Sequence, residues 1–187
     1  MRGIRMNYKI RPMVKEDRTV LISILDGTPE FTLEEKAVAL ELIDIYLEKG
    51  ESSGYHIMVA QMEFTASGFI CFGPTPMTEG TWDIYWIAVP PERRRHGLGR
   101  ALLDYAEKYI IEKNGRLVVI ETSSKTEYER TRQFYLSMEY KLITRVPHFY
   151  SAGDDKIIFG KEFSTYVLES QLLRRAPVHV DKPETYV

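Results

Sequence analysis

The residues with the clearest capacity for chemistry lie in the string Glu92-Arg93-Arg94-Arg95-His96-Gly97-Leu98-Gly99-Arg100. It separates an apolar run ending at Val89 from a stretch of helical periodicity that starts near Gly97. A helix N-terminus carries unpaired N–H groups and a partial positive charge, so an anion set against it is stabilised twice. Glycine at 97 and 99 removes the Cβ atoms that would hold a ligand away from the backbone. This combination suits a diphosphate, although the same string also reads as a solvated turn. Two phosphate-binding patterns fail on spacing. A P-loop requires Lys and Ser or Thr after its last glycine, where this chain has Arg100 and Ala101, and a dinucleotide fingerprint requires glycine where Leu102 stands.

The elements on either side define where the string sits. Trp82 to Val89 reads as a strand with two apolar faces, hence central in a sheet covered on both sides, and it ends at Pro90 and Pro91. Leu98, Leu102, Tyr105, Ala106 and Tyr109 recur at helical spacing, with Gly115 as a C-terminal cap. Arg116 to Thr122 is a second buried strand. Strand, basic glycine turn, helix and strand make a βαβ crossover suited to parallel pairing. Two-residue alternation predicts that Asp83, Tyr85, Ile87 and Val89 share one face.

Elsewhere, Asn7 to Met13 reads as a strand and Lys15 to Gly27 as a short helix. Thr32 and Glu35 form a capping box ahead of a helix whose apolar stripe is Leu33, Ala37, Leu40 and Leu47, ending at Gly50. Tyr55 to Glu63 and Thr65 to Gly73 predict a hairpin, followed by a loop through Pro74, Pro76 and Gly80. Thr126 and Glu129 predict a second capping box, opening a helix to about Met138 that turns Tyr128, Thr131, Phe134, Tyr135 and Met138 inward. Two strands follow around Ser151 to Asp155. Residues 1–163 form one domain by this reading, and 164–187 an extension that begins as a helix through Leu173 and ends loosely.

Composition narrows the function classes. Hydrophobic residues are 44% and charged residues 28%, which excludes a mainly disordered or collagen-like chain. Twenty-five basic against 27 acidic side chains give a net charge of −2, so no global positive field is available to hold nucleic acid. Cys71 is the only cysteine; it precludes an internal disulfide or a cysteine-based metal cluster and fits a reducing compartment. Scattered histidines without metal-ligand spacing predict no metal site. The first residues lack the apolar segment of a secretion signal, and no run nears the roughly 20 apolar residues of a membrane span. The expectation is a cytoplasmic protein without nucleic-acid or membrane partners.

Arg94-x-x-Gly97-x-Gly99, preceded by Ile87-Ala88-Val89-Pro90-Pro91-Glu92 and followed by Arg100-Ala101-Leu102-Leu103, resembles the acyl-CoA-binding motif of the GCN5-related N-acetyltransferase (GNAT) superfamily. The element order from Asn7 to about Phe163 is similar as well. The resemblance implies an α/β, three-layer GNAT-like fold. Its mixed, mostly antiparallel sheet has about seven strands flanked by about four helices and splays between two parallel central strands. It also implies a transferase that moves an acetyl group from acetyl-CoA, as co-substrate, to a primary amine of a small molecule, an amino acid or a peptide N-terminus. Ile87, Ala88 and Val89 would pair with the pantetheine arm, while backbone groups around Arg94, Arg95, His96, Gly97, Leu98, Gly99 and Arg100 would hold the pyrophosphate.

The same resemblance nominates Tyr135, in the Phe134-Tyr135 pair, as the acid that protonates the departing thiolate. Glu139 departs from the glycine common at its position, and Tyr128 from a frequent asparagine. Glu121 is the candidate base and Asp83 its rival, the alternative to both being a water chain. Asp83, Tyr85, His148 and Tyr150 fall where the acceptor would be bound. Arginines and hydroxyls between Glu121 and Arg132 offer a seat for an amino-acid carboxylate. Core packing for Tyr135 and surface charge for the carboxylates are the competing structural readings. A catalytically silent acyl-CoA sensor or interaction module is the alternative function, and a homodimer is left open.

Overall fold

The computed structural model describes residues 8–163; the start of the first predicted strand at Asn7 and the whole 164–187 extension lie outside the described residues. The elements are β1 (Tyr8–Pro12), α1 (Arg18–Asp26), α2 (Leu33–Lys49), β2 (His56–Met62), β3 (Thr65–Pro74), β4 (Thr81–Ala88), α3 (Leu98–Glu112), β5 (Leu117–Ser123), α4 (Glu129–Ser137), β6 (Lys141–Ser151) and β7 (Asp154–Glu162). Among the described residues the strands form one sheet in the order β1-β2-β3-β4-β5-β7-β6. Every neighbouring pair is antiparallel except β4 and β5, the parallel pair joined by α3. The predicted GNAT-like architecture forms, with four α-helices on a seven-stranded mixed sheet among the described residues.

Two cores cover the two faces. One packs Leu98, Leu102, Ala106 and Ile110 of α3, with Tyr135 and Met138, against Trp82, Ile84, Val118 and Ile120. The other packs Leu21, Ile24 and Leu25 of α1, with Ala39 and Ile43 of α2, against Ile57, Val59, Phe69 and Cys71. Burial of β4 on both sides explains its continuous apolar sequence.

The sheet is irregular where it matters. Phe72 pairs with Ile84 but Cys71 pairs with Trp86, so Tyr85 is an extra residue, a β-bulge. The bulge corrects the expected alternation of β4. Trp82 and Ile84 face the α3 side, Tyr85 and Trp86 both pack on the α1–α2 side, and Ile87 and Val89 return to the α3 side. Asp83, Tyr85, Ile87 and Val89 therefore do not share a face. Parallel pairing with β5 runs from Thr81–Leu117 to Ile84–Ile120 and stops at the bulge. Past this point β4 and β5 splay.

Local expectations were met unevenly. At α2 the Thr32 hydroxyl accepts from the Glu35 N–H at 3.1 Å and the Glu35 carboxylate accepts from the Thr32 N–H at 2.7 Å, a complete capping box. Leu40 and Leu47 pack against the core as expected, but the fully buried pair is Ala39 and Ile43, at i,i+4, and Leu33 is 79% exposed with Ala37 exposed too; the first half of the predicted stripe lies off the face that docks. The predicted capping box at Thr126 does not form. Residues 126–128 make a 3₁₀ turn without a side-chain cap, and the Glu129 carboxylate accepts from Arg132 and Gln133 one helical turn on.

The end of α3 gives a further correction. The left-handed residue is Asn114, φ 59°, not Gly115. Gly115 is required for another reason: a Cβ there would lie 2.2 Å from Ile110 Cγ2, 2.9 Å from the Ile110 carbonyl oxygen and 3.0 Å from the Trp82 ring. Overpacking of a fixed core typically costs about 1–3 kcal/mol, whereas glycine at a left-handed position relieves strain. Gly115→Ala is therefore expected to lower the urea midpoint by an amount equivalent to about 1–3 kcal/mol. Asn114→Gly should leave it level or raise it by up to about 1 kcal/mol. Equal losses in the two variants would mean that Gly115 acts by backbone freedom after all.

Candidate active site

The basic string folds into a cradle. Pro91–Arg93 is a 3₁₀ turn, after which Arg95 (φ 64°) and Gly97 (φ 80°) both adopt left-handed backbone on either side of His96. Left-handed residues among successive N–H groups form a concave, anion-binding nest. α3 begins at Leu98 with no side-chain cap, and its first intrahelical bond runs from the Ala101 N–H to the Gly97 carbonyl at 2.9 Å. Its first N–H groups are thus left for an external acceptor. A cavity of about 390 Å³ lies against this turn, lined by Arg93, Arg95 and Arg100, the backbone of Gly97 to Gly99, and Phe134 of α4.

Arg94 differs from the expectation built on its motif position. Its N–H donates to the Pro91 carbonyl at 3.2 Å, so that amide is engaged within the turn. Its guanidinium donates through Nη1 and Nη2 to the two carboxylate oxygens of Glu30, at 2.6 and 2.9 Å, and through Nε to the Val89 carbonyl at 2.9 Å. This bidentate pair ties the cradle to the α1–α2 loop. The Arg94 hydrogen bonds hold the Glu30 carboxyl below the usual carboxylate range, against the opposing effect of partial burial. The pairing of Glu30 with Arg94 was not read from the sequence; sixty-four residues separate the partners, and no spacing signal connects them.

A second cavity, about 490 Å³, adjoins the first and shares Glu30, Ile87, Arg94 and Thr131 with it. It fills the gap between the splayed strands. Glu121, the first β5 residue beyond the parallel ladder, lines it together with Tyr85, Trp86, Tyr135 and Tyr150. Glu121 is 46% exposed and pairs with the Lys156 ammonium at 2.7 Å. Tyr135 is only 5% exposed; its ring packs among Phe134, Tyr140 and Phe159. Its hydroxyl makes no hydrogen bond among the described residues, and burial pushes its pKa up, so it stays protonated. Burial also raises Tyr85 and Tyr150 to about 12.

Four of the named candidates lie apart from both cavities. Asp83 accepts from the Thr75 hydroxyl at 2.6 Å, with a pKa raised by desolvation. His148 lies in β6, where its Nδ1 accepts from the N–H of Gly153 in the β6–β7 turn at 2.9 Å. His96 is exposed, and Ala88 is buried in the α1–α2 core. The structure adds Tyr128, whose hydroxyl donates to both oxygens of Glu35 at 2.8 Å; the capping box of α2 thereby becomes part of the cavity wall. Among the described residues, no three His, Cys, Asp or Glu side chains are grouped to hold a metal ion. No helix among them is long and apolar enough to cross a membrane.

Comparison with known proteins agrees with this geometry. A family model described as an acetyltransferase (GNAT) domain matches residues 53–142. The crystal structure of a GNAT-family protein from Desulfovibrio desulfuricans is 41% identical, covers 83% of this chain and 99% of its own, and superposes with a TM-score of 0.80. Two more distant structures share the fold. The ribosomal-protein-alanine N-acetyltransferase of Brucella melitensis is 21% identical (83% and 99% covered, TM-score 0.68). The yncA protein of Salmonella typhimurium, solved with its cofactor acetyl-CoA, is 16% identical (83% and 94% covered, TM-score 0.65). No curated protein matches.

The Glu30–Arg94 pair has a pH signature. Because the Glu30 carboxyl is held below its ordinary value, near 4.3 when unperturbed, its stabilisation is complete above that value and lost as pH falls through the folded-state value. Both side chains are partly exposed, 32% and 15%, which keeps the effect to about 1 kcal/mol or less. Glu30→Gln should be less stable than the parent near neutral pH, and the gap should close as the pH is taken below about 4. Urea melts of both proteins across that range measure it; a gap independent of pH would assign the loss to packing and not to the charge.

Proposed function

The chain belongs to the GNAT acetyltransferase family, and from that premise we propose that it transfers the acetyl group of acetyl-CoA to a primary amine by direct attack. The observation that carries this reading is the adjacency of two unlike cavities at the splay: a basic, glycine-lined cradle and a carboxylate- and tyrosine-lined chamber meeting at Ile87. In the proposed complex the pyrophosphate lies on the Arg95–Gly99 turn, and the pantetheine arm follows β4 where its ladder with β5 has ended. The thioester then reaches the chamber where the acceptor is held.

The chemistry follows from the groups there. An ammonium has no lone pair to attack with, so its proton must leave first. Glu121, half exposed and in the chamber, is the proposed base, working through water; Asp83 lies outside the chamber and is already bonded to Thr75. The free amine attacks the thioester carbonyl carbon, and the C–N bond forms. Collapse of the tetrahedral species breaks the C–S bond, and the Tyr135 hydroxyl gives its proton to the departing thiolate. Burial keeps that hydroxyl protonated at neutral pH, and its lack of an internal partner leaves it available. No covalent enzyme intermediate is needed, consistent with Cys71 being buried in the opposite core with a raised pKa.

Acetyl-CoA is expected to raise the thermal midpoint of the protein and, with a suitable amine, to release free thiol. Tyr135→Phe should lower kcat by about 100-fold or more, the usual scale of a general acid, while acetyl-CoA affinity shifts by less than about threefold. Undiminished turnover in this variant would remove Tyr135 from the acid role. Stabilisation by acetyl-CoA without thiol release from any amine would instead be the behaviour of a binding module.

A further inference from the structure

The two halves of the site carry opposite charge although the chain as a whole is nearly neutral. The donor cradle is lined by Arg93, Arg94, Arg95, Arg100 and Arg130 against the single carboxylate of Glu30. The chamber is lined by Glu30, Glu34, Glu35 and Glu121; Glu30 is paired with the single lining guanidinium, that of Arg94, and Glu121 with the Lys156 ammonium behind it, which leaves Glu34 and Glu35 without a cationic partner among the described residues. The chamber continues into a trough of about 600 Å³ that retains Glu30, Glu34 and Glu35 and adds Glu127 and Asp154, with Lys125 the one basic side chain, paired to Asp154 at 3.2 Å. Glu34 and Glu127 make no hydrogen bond or ion pair among the described residues. At the inner end stands Tyr135, a residue 95% buried whose hydroxyl has no hydrogen-bond partner among the described residues; this is the polar atom against which the reacting groups would lie.

We infer, resting on the acetyl-transfer reading above, that the acceptor is an aliphatic amine bearing at least one further positive charge and no carboxylate. Its reacting nitrogen lies at the Tyr135 and Glu121 end, and its second cation lies in the trough at Glu34 and Glu127. The aromatic walls suit such a ligand, since the faces of Phe31, Trp86 and Tyr150 pack on alkyl segments and attract cations. The arginines that could have seated an amino-acid carboxylate are engaged elsewhere. Arg132, a candidate for that role by sequence, donates instead to the carbonyls of Ser123 and Lys125 and to Glu129, and Arg130 lines the donor cradle. An anionic group in the trough would meet uncompensated like charge at short range, where repulsion is strongest.

The test compares butylamine, 1,4-diaminobutane and 4-aminobutanoate, matched in chain length, with spermidine and a short peptide with two neighbouring lysines. With acetyl-CoA saturating, kcat/KM for the diamine or spermidine is expected to exceed that for butylamine by at least tenfold, with 4-aminobutanoate below butylamine. The peptide arm distinguishes a free oligoamine from lysine side chains as the source of the same chemistry. Raising ionic strength should shrink the preference. In the double variant Glu34→Gln, Glu127→Gln the preference should collapse towards unity through KM, and stabilisation by acetyl-CoA shows that the variant is folded. Butylamine or 4-aminobutanoate matching the diamine overturns the inference and leaves acetyl transfer standing. Should no amine release thiol, acetyl transfer fails, and calorimetric titration of spermidine at low salt decides the pocket. Saturable binding weakened in the double variant sustains it, and absence of binding ends it.

Discussion

One residue of register in β4 governs the site. By inserting Tyr85 between two pairs with β3, the strand keeps its antiparallel neighbour but turns its later residues out of line with β5. A parallel pair would otherwise continue to the end of both strands, closing the sheet over the place where two cavities now meet. The bulge also reverses the side-chain parity of β4, so that Tyr85 and Trp86 wall the chamber while Ile87 and Val89 line the cradle. Opening and sorting thus come from the same defect. At the other end the strands are held together: the Arg116 and Leu117 N–H groups both donate to the Gly80 carbonyl, at 2.7 and 3.2 Å, and the Arg116 side chain donates to Glu79. The β4–β5 pair is a wedge, pinned at its base and open at its tip.

The second organising contact is Arg94 with Glu30. Arg94 leaves the glycine turn, crosses over the opening and grips the loop between α1 and α2. That loop carries the chain into α2, whose first turn presents Glu34 and Glu35 to the chamber. A single bidentate pair therefore sets the distance between the glycine cradle and the acidic wall, with the fork geometry that an ammonium could not reproduce. Tyr128 makes the corresponding link from the far side, bonding Glu35 to the start of α4. The chamber is bounded by contacts between elements remote in sequence, each made by a side chain whose local role is different.

This remoteness explains what the sequence could and could not reveal. The cradle was legible because it is local: an N-terminus, two glycines and a period change are all read within a few residues. The central strand announced itself by having apolar residues on both faces, and the α2 capping box by its spacing. The bulge had no such signal, since Tyr85 fits an alternating strand as well as a bulged one, and strict alternation consequently misassigned Ile87 and Val89. Gly115 was marked correctly as special but for the wrong property, because a clash with Ile110 and Trp82 is visible only once α3 and β4 are packed. Glu35 was read as a cap, which it is; that its second oxygen serves the chamber depends on Tyr128, ninety-three residues away.

Tyr135 shows how the structural and chemical readings of one side chain converge. Its ring fills the core with Tyr140 and Phe159, which is the reading its helical spacing favours. Burying a tyrosine usually demands a partner for its hydroxyl, because an unpaired polar group in an apolar setting is costly. Here the hydroxyl emerges at the lining of the chamber without one, so the cost is avoided only when water or a ligand atom sits against it. The packed ring fixes the oxygen's position, and the burial that raises its pKa holds its proton in place at neutral pH. Core packing is therefore the means by which such a hydroxyl is kept aimed and protonated, and a tyrosine freer to move would serve less well in the same place.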